Sequence, residues 1–412
     1  MKVTLVYCGI GVAGMNANRD AHDLEGGWIA HGIASVGASA KAAGHDVDLI
    51  DLRQLRDFDH FAEIIRANPA EVYGLSVSPV DEYSALYAIY EIKLHVPQAK
   101  IIVGGIHPTV FPEKYTLGPV DTVVQGEGEI SFCELLADIN NLPKRIVGKK
   151  PDLAEIPWVD RDLFQYHREI SCIFAPDQKL PSATMLAGRG CPYQCNYCQP
   201  AENAVFGKPF RIRPVDDVMA EMHQLYQKYK FKSLVFWDDT FTFDRRWINQ
   251  FCENYNLPAA IIACSRADII CNREDMIRDL ACVGVEWLVI GMESGSQRLL
   301  DLIKKGTTVE QNLRAREICA KYGIKVFASF MLGLPTETRE ESEMTINMIN
   351  QMQPEWPSPF WYVPIPGTGL YDYCDKHDLI VPETREWIIS RTCRRERRIK
   401  GVDYDHLERM MG

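Results

Sequence analysis

Gly190-Cys191-Pro192-Tyr193-Gln194-Cys195-Asn196-Tyr197-Cys198 places three thiols at C-x3-C-x2-C spacing on a short polar run. Three thiolates hold three irons of a 4Fe-4S cluster and leave the fourth iron open to a substrate or cofactor. A cluster that only carries electrons needs a fourth nearby cysteine, and none lies close in sequence. A structural zinc site usually shows two separated ligand pairs, which this run lacks. The other ten of the thirteen cysteines are scattered singly and read as small buried hydrophobes.

The elements that must position this run come next. Strand candidates Thr184–Ala187, Ser233–Trp237, Ile261–Ser265, Glu286–Ile290, Lys325–Phe330 and Phe360–Val363 alternate with helix-length stretches, the pattern of an incomplete parallel barrel. The cysteine run follows the first of these strands. Polar segments stand at the ends of later ones, where a barrel places its active site: Trp237-Asp238-Asp239-Thr240, Ser265-Arg266-Ala267-Asp268, Gly291-Met292-Glu293-Ser294-Gly295-Ser296 and Phe330-Met331-Leu332-Gly333-Leu334-Pro335. Any single acid among them also reads, as the lesser alternative, as half of a rim ion pair.

With the cysteine motif, these segments resemble in order the radical S-adenosylmethionine (radical SAM) superfamily, over roughly residues 182 to 373. The resemblance implies Cys191, Cys195 and Cys198 as cluster ligands, with SAM chelated to the open iron and reduced to a 5'-deoxyadenosyl radical. It puts Tyr197 near the adenine, Asp238 and Asp239 toward the SAM ammonium, and Ser265 and Arg266 near the carboxylate and ribose. Glu293 and Ser294 fall in a further SAM-facing segment. Phe206, Phe241, Phe330, Trp361 and Tyr362 line either that pocket or the ordinary core.

The first part of the chain carries a second series of apolar runs at Val3–Tyr7, Val47–Leu52, Val72–Val77, Ile101–Val103 and Thr122–Val124, which predicts a doubly wound, Rossmann-like parallel sheet. A helix over Trp28–Ala43 ends at Gly44, another spans Glu82–Leu94, and a third opens after Gly128. Gly9, Gly11 and Gly14 form G-x-G-x-x-G after the first strand. No apolar helix face follows, and Asp51 stands 37 residues beyond Gly14, so the dinucleotide reading fails.

Gly44 to Asp51, Ile101-Ile102-Val103-Gly104-Gly105-Ile106-His107-Pro108 and Val124-Gln125-Gly126-Glu127-Gly128-Glu129 instead resemble the cobalamin-binding-like domain of one large radical SAM subgroup, over roughly residues 1 to 140. The resemblance implies that Gly104, Gly105, Gly126, Glu127 and Gly128 approach cobalamin, although members of the subgroup keep the fold with or without it. The cobalt-ligating D-x-H-x-x-G loop is absent as such, because Asp20-Ala21-His22-Asp23-Leu24-Glu25-Gly26 is one residue too long. His22 reads as an exposed loop residue or an axial ligand. His107 reads as a turn residue.

The domain expectation is 1–140 cobalamin-binding-like, 141–181 linker, 182–373 radical SAM core as a partial (β/α)6 barrel, and 374–412 a short, mostly helical tail. Arg391, Arg394, Arg395, Arg397, Arg398 and Lys400 in that tail read as a solvated face or an anion site, and Cys374 and Cys393 flank it. A formal net charge of -11 disfavours nucleic acid as a partner. With no apolar run of membrane-spanning length and no export signal, the expected location is cytoplasmic. The implied activity is SAM radical chemistry on a small molecule, foremost cobalamin-dependent methylation of an unactivated centre, with flavodoxin or ferredoxin as electron donor. Ring formation, rearrangement or transfer of the aminocarboxypropyl group of SAM is the alternative, and a non-enzymatic iron-sulfur carrier the rival of another class.

Overall fold

The computed structural model describes residues 1–9, 29–164, 175–198, 205, 210–382 and 396–411. These fall into two compact units, one up to residue 164 and the other from residue 175 on, Val205 aside.

The first unit is a six-stranded parallel sheet in the order β2-β1-β3-β4-β5-β6. Its strands are β1 (Lys2–Tyr7), β2 (Asp46–Asp51), β3 (Val72–Ser76), β4 (Lys100–Gly104), β5 (Thr122–Gln125) and β6 (Arg145–Val147). The central strands are short runs of β-branched and other apolar residues buried on both faces, as a sheet covered by helices on each side requires. Helix His31–Ala42 stops where Gly44 takes φ +88° and its N–H bonds to the Lys41 carbonyl at 2.9 Å, so the predicted glycine cap is present. Asp57 starts the helix Phe58–Ala67 by accepting from the His60 N–H at 2.8 Å.

The reading of 141–181 as linker is corrected at its start. β6 lies inside that range and pairs with β5, Val123 opposite Arg145. Three residues are too few for a hydrophobic period to be seen, and only pairing with β5 makes them a strand.

The second unit is also parallel, in the order β14-β13-β12-β11-β10-β7, so each strand neighbours its predecessor in the series, as in an open barrel. The strands are β7 (Ser182–Met185), β10 (Ser233–Phe236), β11 (Ala260–Ser265), β12 (Val285–Glu293), β13 (Lys325–Leu332) and β14 (Trp356–Trp361); β8 (Gly188–Arg189) and β9 (Arg211–Ile212) form a small antiparallel pair. β14 starts four residues before the predicted Phe360–Val363, because Pro357 and Pro359 hide it from a propensity reading. Phe236, Phe241, Trp247 and Phe251 pack ring against ring in the core, stacked or edge-on, and Phe241 and Phe330 are core residues. Thr308 and Thr338 each open a helix, Val309–Lys321 and Arg339–Met352, with a reciprocal capping box.

The tail closes on this unit. Helix Tyr404–Met411 packs Tyr404 and Leu407 with Leu332 and Trp361, and the Tyr404 hydroxyl accepts the N–H groups of Arg398 and Ile399. Arg398 is fully buried beside Glu396 and is not part of a solvated face; Arg397 pairs with Asp405 and Lys400 with Asp378. Arg391, Cys393, Arg394 and Arg395 lie outside the described residues. Among the described residues no helix is long and apolar enough to cross a membrane.

Candidate active site

The cysteine run follows β8, just past the carboxyl end of β7, and is fastened before its first thiol. The Asp238 carboxylate, just past the end of β10, accepts the N–H groups of Ala187 at 3.0 Å and Gly188 at 2.6 Å. Burial pushes this carboxyl up to about 7 against the pull of those two donors. Gly188 is required, because a β-carbon there would sit 2.7 Å from the Arg211 carbonyl oxygen. Further along, Asn196 ties the run to the end of helix Gln297–Leu302, its N–H to the Ile303 carbonyl at 3.0 Å and its Nδ2 to the Leu302 carbonyl at 3.0 Å. Its own carbonyl accepts from Leu370 at 2.8 Å.

The three thiols differ in surroundings. Cys191 is half-buried with Sγ 3.6 Å from Thr240 Oγ1, Cys195 is buried, and Cys198 is exposed. Cys195 Sγ lies 3.6 Å from Arg266 Nη1 and 3.9 Å from the Lys305 carbonyl oxygen.

Beside the thiols sits a polar triad of buried Glu293 and Lys305 with half-buried Tyr197. The Tyr197 hydroxyl donates to Glu293 Oε1 at 2.7 Å, and Lys305 Nζ donates to the same oxygen at 2.9 Å and to Tyr197 Oη at 3.1 Å. Burial and the Glu293 charge raise the Tyr197 phenol well above its ordinary value. Glu293 holds φ +65°, an uncommon conformation for a non-glycine residue, at the end of β12. Lys305 escaped the sequence reading. It is 108 residues from Tyr197, and only the return of the chain after helix Gln297–Leu302 brings it in.

Other sequence candidates are engaged within the protein. Arg266 bonds to Asp268 Oδ1 at 2.9 Å and the Lys305 carbonyl at 2.7 Å, and its guanidinium lies 3.5 Å from the centre of the Tyr193 ring. Ser265 Oγ is 2.8 Å from Thr242 Oγ1, and Ser294 Oγ is 3.3 Å from Thr345 Oγ1. Asp239 is exposed at the barrel rim. Trp361 and Tyr362 are buried, while Phe206 and His22 lie outside the described residues.

In the first unit the predicted glycines gather at the carboxyl ends of β4 and β5. Gly105 has φ +101°, and a β-carbon there would fall 2.8 Å from both the backbone N and O of Val77. Gly126 has φ +86°; Gly128 has Val36 at 3.1 Å from where its β-carbon would be, and Glu127 is buried. Thr109, missed in sequence, ties the two turns: its hydroxyl donates to the Gly105 carbonyl at 2.7 Å and accepts the Gly126 N–H at 2.9 Å. His107 is a buried structural residue, Nδ1 2.7 Å from Tyr115 Oη, and burial pulls its pKa down to about 4.

The donor set fits a cluster held by one thiolate per iron, with the Arg266 N–H and the Lys305 ammonium supplying positive charge beside it. Among the described residues no three His, Cys, Asp or Glu side chains gather closely enough to hold a single metal ion. The paired glycine turns, at the strand ends where a sheet of this order takes its ligands, fit a bulky cofactor.

Fold and site thus define an α/β protein of two parallel-sheet units, the second carrying a three-thiol loop near a strand end. The radical SAM superfamily model matches residues 185–349 and the B12 binding domain model residues 21–136. The chain carries a radical SAM domain, preceded in sequence by a B12 binding domain. It is 29% identical over 378 residues to an uncharacterized methyltransferase of Pyrococcus horikoshii, covering 85% of this chain and 79% of that one. It is 26% identical over 381 residues to an anaerobic magnesium-protoporphyrin IX monomethyl ester cyclase of Rubrivivax gelatinosus, covering 86% and 68%. In fold it matches the radical SAM methyltransferase TsrM of Kitasatospora setae, solved with cobalamin and a 4Fe-4S cluster bound, at TM-score 0.68 and 16% identity over 92% of this chain and 75% of that one.

Proposed function

We propose that this protein is a cobalamin-dependent radical SAM methylase acting on a small molecule. The observation that carries the reading is the pairing, in one chain, of an anchored three-thiol loop at a barrel strand end with a B12-type sheet whose glycine turns are tied together. The methyltransferase relative and the TsrM fold match support it.

With cluster, SAM and cobalamin bound, the site would supply one-electron reductive cleavage of SAM and transfer of a methyl group to the substrate. Cys191, Cys195 and Cys198 hold the cluster, and Asp238 and Asn196 fix the loop on which they stand. Tyr197 borders the adenine. The Tyr197-Glu293-Lys305 triad offers fixed donors and acceptors to SAM, and Asp239 stands exposed for its ammonium. Gly104, Gly105, Gly126, Glu127 and Gly128 form the cobalamin cradle. A flavodoxin or ferredoxin supplies the electron, and the protein works in the cytoplasm.

Ring formation is the second reading, favoured by the cyclase relative. Oxygen-free purification, iron-sulfide reconstitution and incubation with hydroxocobalamin test the cofactors, and S-adenosylhomocysteine formed beside 5'-deoxyadenosine marks methylation over ring formation. About four irons per chain with retained cobalt, and 5'-deoxyadenosine on reduction with SAM, are the expected results. Iron without cobalt moves the assignment to cobalamin-independent radical chemistry, and methylthioadenosine as product moves it to aminocarboxypropyl transfer. No SAM turnover leaves an iron-sulfur carrier.

A further inference from the structure

Arg266 grips the cysteine run at two points. Its guanidinium lies 3.5 Å from the ring centre of Tyr193, between the first and second cysteines, and its Nη1 points at Cys195 Sγ from 3.6 Å. Its Nε is held by Asp268 and its Nη2 by the Lys305 carbonyl, and the residue is 5% exposed. All three nitrogens therefore already have partners inside the protein, and the fork points at a sulfur, away from the role at the SAM carboxylate that sequence suggested.

We propose that Arg266 is a positioning residue that sets the reduction potential of the cluster through Cys195, and that it is not the SAM carboxylate ligand. The inference rests on the cluster assignment above. Reduction adds one electron and no proton to the cluster, and part of the added negative charge falls on the cysteine sulfurs. A cationic N–H donor aimed at one of those sulfurs, in a buried setting, stabilises the reduced form more than the oxidised one and raises the potential. Asp268 opposes this by drawing off part of the guanidinium charge.

The two residues thus predict shifts of opposite sign. Wild-type, Arg266→Gln, Arg266→Lys and Asp268→Asn proteins are reconstituted without oxygen, and iron is counted in each. The cluster is then titrated with dithionite while its electron paramagnetic resonance is followed, and SAM affinity is measured by equilibrium dialysis. Arg266→Gln is expected to make reduction at least tenfold less favourable, about 59 mV lower for one electron. Arg266→Lys is expected between it and wild type, and Asp268→Asn above wild type, with SAM affinity within about twofold throughout.

An unchanged potential with SAM affinity lost tenfold in Arg266→Gln returns Arg266 to the SAM carboxylate and overturns the proposal. A potential that stays put, or moves the same way in Arg266→Gln and Asp268→Asn, overturns it too. If Arg266→Gln loses its iron, Asp268→Asn alone decides by the sign of its shift. A wild-type protein that takes up no iron is a different failure, that of the cluster assignment.

Discussion

Gly291 stands where a methyl group has no space. A β-carbon there would lie 2.1 Å from Glu293 Oε1 and 2.8 Å from Lys305 Nζ, so the missing side chain is what lets the triad close. Gly291→Ala must push one charge off the other, an overpacking cost of roughly 1–3 kcal/mol, read by chemical denaturation. Glu337 tests the same rim by pH. It accepts the N–H groups of Gly333 and Leu334, and burial pushes its carboxyl from an ordinary 4.5 up to about 8. The folded state then holds a proton that the unfolded state releases at lower pH. The contribution of this group to stability is full below about pH 4.5 and is lost as pH rises through about 8. Glu337→Gln cannot ionise, so denaturation at pH 5 and pH 9 should show the variant gaining on wild type by up to ~4 kcal/mol. Equal pH slopes in the two proteins would sink the assignment.

Strands and turns carry the next level, and here the sequence was partly readable. The parallel runs and glycine turns stand out because burial on both faces imposes apolar strands, and tight turns impose glycine. Thr109 does not stand out, since a threonine in a polar stretch signals nothing until β4 and β5 lie side by side. Its hydroxyl then joins Gly105 to Gly126 while Gln125 Nε2 donates to its carbonyl at 2.8 Å. Gly148 pins the same turn from the β6 side, where a β-carbon would meet the Glu127 carbonyl oxygen at 2.1 Å. Thr109→Val leaves the Gly126 N–H without its acceptor, at a cost of about 1–3 kcal/mol. Thr109→Ser keeps the hydroxyl and should recover most of it. Urea denaturation measures the loss, and cobalt retained after gel filtration should fall in the valine variant only. Lys305 and Asn196 were hidden for the same reason, their partners being about a hundred residues away.

At the scale of the whole chain, two sheets with separate cores carry two separate sets of site residues. The bonds from Asp238, Asn196, Arg266 and Lys305 that fasten the cysteine run join described residues of the second unit, and those of Thr109 in the glycine platform join described residues of the first. Each site is thus fastened, among the described residues, within its own unit, and occupancy of one is expected not to depend on the other being filled. The triple variant Cys191→Ala, Cys195→Ala, Cys198→Ala removes all three proposed iron ligands while leaving Asp238, Asn196 and the strand ends in place. After reconstitution with iron, sulfide and hydroxocobalamin, it should lose its iron, from about four per chain to none, and keep cobalt at the wild-type ratio. Thr109→Val should do the reverse, with full iron and depleted cobalt. Metal analysis of both variants side by side checks this, and loss of both metals in the triple variant would mean that the cobalamin cradle needs the filled iron site to form.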